Sequence, residues 1–200
     1  MKFGVLISGT GTNLQALLDA ERAGRLAPAE IACVVSNRPK ALGLLRANAV
    51  HKTARTVDHT QFQTRESFED ALLAVLDEHQ VAAVVLAGFM RVLTPHFLAR
   101  FPDRILNIHP SLLPAFPGID AQRQAFEHGV KVTGATVHFV DVGVDQGAIV
   151  AQATVPVLDD DTVDSVRARI LEREHEILPR AVALLAAGRL VRDGHRVRSR

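Results

Sequence analysis

Residues 81–87 form an almost wholly apolar run, and this run limits the possible folds more than any other segment of the chain. A strand with one face in water alternates apolar and polar side chains, whereas a central parallel strand is covered on both faces and is apolar throughout. The run therefore predicts a central strand of a parallel sheet that has helices on both sides.

Short apolar runs and amphipathic segments alternate along the first half of the chain. Strands are predicted at residues 3–8, 30–36, 53–57 and 104–108, and helices at residues 13–23, 39–48, 67–79 and 95–100. Pro39 is expected in the first turn of its helix, and Thr94 is expected to cap the last of these helices. This alternation predicts an α/β fold with a doubly wound, mostly parallel sheet.

The second half of the chain changes character. Residues 130–140 and 148–155 predict two longer strands, which would form a C-terminal antiparallel extension of the sheet. Residues 162–187 predict one long helix with a kink or break at Pro179. The segment 116–124 is rich in turn residues and is expected to be a loop beside the strand that ends near residue 108.

The arginine-rich tail 189–200 contains Asp193-Gly194, a hairpin turn signal. We nevertheless expect a solvated, partly frayed end here rather than a nucleic-acid patch. The chain shows no repeat, low-complexity tract or linker-like stretch. A single domain over residues 1–200 is therefore the expectation.

Composition excludes several classes of protein. The formal net charge of +1 gives no sign of nucleic-acid binding, and a single cysteine, Cys33, excludes an internal disulfide. No stretch approaches the roughly 20 apolar residues that a membrane span needs. We expect a cytoplasmic protein without membrane or nucleic-acid partners, with Cys33 as a small core residue.

A glycine-rich turn, residues 8–14, follows the first strand and opens a helix. Unpaired N–H groups at a helix N-terminus, approached closely through glycines, form an anion site. The dinucleotide fingerprint fails, because Leu14 stands at its third glycine and Asn37-Arg38 follows the second strand in place of an acidic residue. A site for one phosphate monoester fits better, and a plain turn is the alternative.

Asn107 and His109 stand at the carboxyl end of a predicted strand, where ligands bind in such sheets. Residues two apart in an extended chain point the same way, and Pro110 favours extended backbone at His109. An amide and an imidazole aimed into one crevice suit a reaction that develops negative charge on an oxygen. A lone histidine would be an ordinary strand-end residue, but the pairing with Asn107 favours a catalytic role.

A carboxylate beside His109 would orient its ring and favour its charged form. Asp145 lies between two glycines in a turn, and Asp141 is an equal candidate on the residues alone. The sequence contains no nucleophile elbow and no metal-ligand spacing, so we expect no metal.

Together these residues resemble the formyltransferases that use 10-formyltetrahydrofolate, and most closely those that formylate glycinamide ribonucleotide in de novo purine biosynthesis. The resemblance covers nearly the whole chain. Its most specific stretches are residues 88–91, 107–114, 134–141 and 145–147. It implies a Rossmann-like fold, small-molecule substrates, and a monomer or homodimer.

The resemblance also implies residue roles. Asn107 and His109 match the catalytic pair, and Asp145 matches the aspartate behind the histidine. The residues that match the ribonucleotide site are Gly11, Thr12, Asn13 and Glu174. The residues that match the folate site, besides Asn107 and Asp145, are Arg65, Met90, Arg91, Val92, Leu93, Val140, Asp141 and Gly143.

Three alternatives are weaker. A hydrolase that releases formate from the same co-substrate usually carries an extra N-terminal domain and has His where Pro110 stands, whereas this chain begins at its first strand. A formyltransferase acting on initiator tRNA would need a C-terminal nucleic-acid module. A non-enzymatic nucleotide-binding module would explain the glycine-rich turn but not the set of Asn107, His109 and Asp145.

Overall fold

The computed structural model describes residues 1–200 and contains one large sheet. Its strands are β1 (Lys2–Ile7), β2 (Glu30–Ser36), β3 (Thr53–Thr56), β4 (Ala83–Leu86), β5 (Ile105–His109), β6 (Val132–Phe139) and β7 (Ile149–Pro156). They lie in the order β3-β2-β1-β4-β5-β6-β7. The first five are parallel, and β6 and β7 add in antiparallel orientation. The predicted fold class and antiparallel extension are confirmed.

The apolar run 81–87 lies in the middle of this sheet. All of β4 is buried between β1 and β5. Strand order reverses between β1 and β4, and ligands bind at such a point outside the carboxyl ends of the strands. The sheet therefore places the ends of β1, β4 and β5 side by side at one edge.

Helices cover both faces of the sheet. They are α1 (Thr12–Arg22), α2 (Leu42–Ala49), α3 (Arg65–Glu78), α4 (Pro95–Leu98), α5 (Ala121–His128) and α6 (Val163–Ala186). Phe3 and Val5 of β1 join the core under α1 and α6, and Leu6 joins the core under α3 and α4. Cys33 is buried in the second core, as expected, and burial raises the pKa of its thiol to about 11.

One predicted helix start is wrong, and one predicted side-chain cap is not made. Pro39 lies before α2, which begins at Leu42. A turn precedes the helix, and in this turn the Ala41 N–H donates to the Arg38 carbonyl. Thr94 is the N-cap residue of α4, but its side chain makes no capping hydrogen bond; its hydroxyl and its backbone N–H both donate to the buried carboxylate of Glu69. The hydroxyl is thus directed to a tertiary partner and not to the first turn of the helix.

Two further expectations need correction. The long helix α6 continues through Pro179, so the break expected there is wrong; buried Leu178 and Val182 keep the segment packed on the sheet. Part of the segment 116–124 that was expected to be a loop belongs to α5, which Gly129 ends in a left-handed conformation.

The C-terminal tail is also more ordered than expected. It forms a hairpin of β8 (Leu190–Asp193) and β9 (Arg196–Ser199), as the Asp193-Gly194 signal indicates, and the expectation of a frayed end is wrong. No helix in the structure is both long enough and apolar enough to cross a bilayer.

Candidate active site

The glycine-rich turn connects β1 to the N-terminus of α1. Gly11 precedes the helix with a φ of 72°, and a Cβ at this position would lie 2.6 Å from the Cα of Gly43. Only glycine fits this approach, and no side chain caps the helix. The first N–H groups of α1 therefore lack intrahelical partners and can face an anion.

Arg46 brings a positive charge to this turn. Its Nε donates to the Thr10 carbonyl at 2.8 Å, and its Nη1 donates to the side chain of Gln15 at 3.2 Å. Sequence reasoning missed this residue, because it comes from α2 and no local spacing links it to the turn.

Asn13 and Glu174 form a buried pair that connects the turn to α6. The Asn13 amide donates to the Glu174 carboxylate at 2.9 Å, so this side chain is not free to face an anion. The amide oxygen of Asn13 is buried without a partner. Burial raises the pKa of Glu174 to about 7, although the Asn13 hydrogen bond opposes the shift. The pair is therefore suited to a ligand that donates hydrogen bonds.

This pKa gives a testable effect on stability. Because the pKa of Glu174 is higher in the folded than in the unfolded protein, ionising this carboxyl lowers the stability of the fold. The loss of stability develops as the pH rises from about 4.5 to 7. In the ligand-free protein, Glu174→Gln is expected to raise the free energy of unfolding by about 3 kcal/mol at pH 8. Below pH 4.5 the difference should vanish. Urea unfolding at both pH values measures it, and a pH-independent difference would contradict the assignment.

Ser8 connects the glycine-rich turn to the segment after β4. Its hydroxyl donates to the Asn37 side chain at 2.6 Å and accepts from the N–H of Met90 at 2.8 Å. Next in the chain, the Arg91 guanidinium lies 5.4 Å from the ring centre of Phe68 on α3. Arg65 is exposed at the start of that helix. These contacts fix the segment 90–93 at the same sheet edge.

His109 ends β5 with its imidazole almost fully buried. Its Nε2 donates to the Phe116 carbonyl at 2.9 Å, and its Nδ1 lies 3.4 Å from Oδ2 of Asp145. Both neighbours are acceptors, and the imidazolium is the form in which both ring nitrogens carry a hydrogen. The contacts therefore suit a charged donor.

The structure decides between the two aspartates. Asp145 contacts His109, whereas Asp141 pairs with Arg192 at 2.7 Å. Burial alone would raise the pKa of Asp145, but the hydrogen bond from the Gly118 N–H and the charge of His109 outweigh it and lower this pKa. Asp145 is therefore ionised at neutral pH.

His138 is a member of this cluster that sequence reasoning did not single out. Its Nδ1 faces the Phe139 carbonyl at 2.8 Å, which assigns the hydrogen to Nδ1 in the neutral ring. Its Nε2 then accepts from the Asn107 amide at 3.1 Å and lies 3.6 Å from Asp145. His138 thus orients the Asn107 amide, whose second hydrogen stays free. Only the register of β6 on β5, with Asn107 opposite His138, reveals this pair.

These groups lie in a cleft of about 380 Å³. The predicted site residues that line it are Met90, Arg91, Val92, Leu93, Asn107, His109, Val140, Asp141, Gly143 and Asp145. Arg65 does not line the cleft, and neither do Gly11, Thr12, Asn13 and Glu174. Apart from Arg65, the predicted site residues therefore form two groups. One group lines the cleft, and the other lies at the glycine-rich turn and on α6.

The cleft is apolar around its polar cluster. Five large hydrophobic side chains that remain exposed line it: Met90, Val92, Ile119, Val142 and Val144. Exposed apolar side chains that gather in one concave place mark a ligand site. The arrangement can hold a flat apolar ligand with its reacting polar end on Asn107 and His109.

Known proteins share this architecture. A glycinamide ribonucleotide transformylase 1 from Symbiobacterium toebii is 55% identical, with a TM-score of 0.97 over 100% of this chain and 93% of its own. A phosphoribosylglycinamide formyltransferase from Haemophilus influenzae is 44% identical over 94% of this chain and 89% of its own length.

Longer relatives contain a matching part. The trifunctional purine biosynthetic protein adenosine-3 of Drosophila melanogaster is 48% identical over 188 residues, and the chain spans only 14% of its length. Residues 1–182 of this chain match the sequence model of the formyl transferase family. The chain therefore belongs to the formyl transferase family.

Proposed function

We propose that this protein transfers the formyl group of 10-formyltetrahydrofolate to the amine of glycinamide ribonucleotide, giving formylglycinamide ribonucleotide and tetrahydrofolate. The observation that carries the proposal is the convergence of Asn107, His109 and Asp145 at the polar end of one apolar cleft. Family membership supports the reaction class, and the named relatives support the choice of acceptor.

The cleft fits the folate co-substrate. A pteridine ring is flat and largely apolar on its faces, and Val142, Val144 and Met90 offer it apolar walls. Its edge carries polar atoms that the peptide groups of residues 140–145 can meet. The formyl group would then lie towards Asn107 and His109.

The reaction develops charge on the formyl oxygen. The neutral amine attacks the formyl carbon, and the carbonyl electron pair moves onto the oxygen. Asn107 and His109 donate hydrogen bonds to this oxygen, and Asp145 supplies the negative charge behind His109. The bond from the formyl carbon to the folate nitrogen then breaks, and that nitrogen gains the proton that the amine loses. Holding both reactants together supplies much of the rate.

One competing contact follows from the geometry. His109 Nε2 has one hydrogen, and the Phe116 carbonyl accepts it. A formyl oxygen bound at Nε2 must take the place of that carbonyl. Asn107 needs no such exchange, because one of its two amide hydrogens is free.

The ribonucleotide is assigned to the adjoining residues. The N–H groups of Gly11, Thr12 and Asn13 and the charge of Arg46 would hold the phosphate. Glu174 and the unpartnered oxygen of Asn13 would accept hydrogen bonds from the rest of the molecule. The acceptor amine would then lie at the carboxyl edge of the sheet, between the ends of β1 and β5.

One assay tests the proposal. The protein is mixed with 10-formyltetrahydrofolate, with and without glycinamide ribonucleotide, and release of tetrahydrofolate is followed. Release that requires the ribonucleotide is expected. Release without it would establish a hydrolase instead, and no release in either mixture would leave a binding module.

A further inference from the structure

Arg192 of the C-terminal hairpin makes contacts through all three nitrogens of its guanidinium group. Its Nη2 and Nη1 lie 2.7 and 3.1 Å from the two carboxylate oxygens of Asp141. Nη1 also lies 2.7 Å from Asp103, and Nε donates to the Gly194 carbonyl at 2.9 Å. A two-pronged arginine–carboxylate pair fixes direction as well as distance, and lysine cannot reproduce it.

Asp141 begins the segment 141–145, which forms one wall of the cleft. All residues of this segment line the cleft, including the exposed Val142 and Val144. At the far end, Asp145 is fixed by His109 and the Gly118 N–H. The wall is thus held by side chains at its two ends.

Little else holds the backbone of this wall. The only main-chain hydrogen bond whose donor and acceptor lie within residues 141–146 runs from the Gln146 N–H to the Gly143 carbonyl, at 3.4 Å. Strand pairing ends before the segment, and its last main-chain hydrogen bond runs from the Val140 N–H to the Ile105 carbonyl. The position of the wall between these ends therefore depends on the Asp141 side chain and on what holds it.

We propose that Arg192 is a positioning residue for the formyl donor: it holds Asp141, and through it the wall 141–145, in the place that the folate ring needs. The inference rests on the proposed function. The arginine comes from β8, so the C-terminal hairpin is a working part of the site. Asp103 contacts the same guanidinium through one nitrogen only and does not line the cleft, so the two-pronged pair with Asp141 can form without it.

The test compares Arg192→Met, Arg192→Lys and Asp141→Asn, with Asp103→Asn as the matched control. We expect Arg192→Met and Asp141→Asn each to raise the KM for 10-formyltetrahydrofolate about fivefold to tenfold, as loss of a charge-assisted pair at a partly exposed site would. The turnover number and the KM for glycinamide ribonucleotide should stay within about twofold. Arg192→Lys keeps the charge without the second prong and should fall between wild type and Arg192→Met.

The double variant Arg192→Met/Asp141→Asn should be no worse than either single variant, since both remove one interaction. Asp103→Asn should leave the KM for the donor within about twofold. If Arg192 only stabilised the fold, a different pattern would be expected. Asp103→Asn and Asp141→Asn would then change the KM for the donor equally, or the variants would unfold at a lower temperature with both KM values unchanged. Either result overturns the proposal.

Tetrahydrofolate binding, measured by calorimetry without the ribonucleotide, separates this inference from the proposed function. If the wild type binds tetrahydrofolate but does not turn over, the proposed function fails, and weaker binding by Arg192→Met still supports the positioning role. If wild type and Arg192→Met bind tetrahydrofolate equally, the positioning role is refuted even when turnover is normal.

Discussion

Replacing His109 by alanine is expected to lower the turnover number for formyl transfer about 100- to 1000-fold, the usual loss when one oxyanion donor is removed. His109 is the one group of the cluster that can bring a full positive charge to the formyl oxygen. Its side chain lies at the end of β5 beside the cleft, and its contacts there are polar, so the fold should survive its removal. Tetrahydrofolate release measures the loss, and circular dichroism checks the fold.

Asn107→Ala should lose activity of the same order, because its free amide hydrogen is the second donor to that oxygen. His96→Ala is the matched control: His96 pairs with Asp70 on the surface and does not line the cleft. It should keep turnover within about twofold. Near-full turnover of a folded His109→Ala or Asn107→Ala protein would remove that residue from the catalytic role.

Asp145→Asn is expected to lower turnover by about 100-fold, the lower end of the loss for one oxyanion donor, because His109 then no longer acts as a charged donor. The substitution keeps size and an oxygen that can accept the Gly118 N–H, now bound at 2.7 Å. It removes the negative charge 3.4 Å from His109 Nδ1, so a protonated His109 loses its counter-charge. The reaction then lacks its charged donor although the geometry is retained.

The control for this change is Asp70→Asn, which removes a carboxylate that also contacts a histidine but lies on the surface. We expect no change in turnover beyond about twofold. Both variants are assayed at saturating concentrations of both substrates, so that weaker binding does not imitate a chemical defect. An Asp145→Asn protein with more than half of the wild-type turnover would show that the carboxylate is not needed.

Local sequence signals predicted the elements whose periodicity continues through a buried region. The limits of β2 at Glu30–Ser36 follow from its apolar run, and β4 is buried throughout as the run 81–87 indicates. Two of the errors arose where a distant residue competes with a local signal. The Thr94 side chain binds Glu69 from α3 and makes no capping hydrogen bond, and Arg192 binds Asp141 instead of remaining solvated.

The residues of the candidate site also differ in whether a local sequence signal could predict them. Asn107 and His109 could be predicted together because alternate residues of one strand share a face. Residues alone left Asp141 and Asp145 equal, since spacing in a turn says nothing about which carboxylate folds back onto the sheet. Arg46 and His138 carried no local signal.

By itself, the sequence determined the doubly wound sheet, the strand end that carries Asn107 and His109, and the glycine-rich turn, because each depends on periodicity or backbone conformation within one segment. The tertiary structure alone decided which side chains from separate segments meet. The antiparallel register of β6 places His138 against Asn107, the segment after it returns Asp145 to His109, and the C-terminal hairpin delivers Arg192 to Asp141. These contacts depend on long-range packing that no short stretch of sequence encodes.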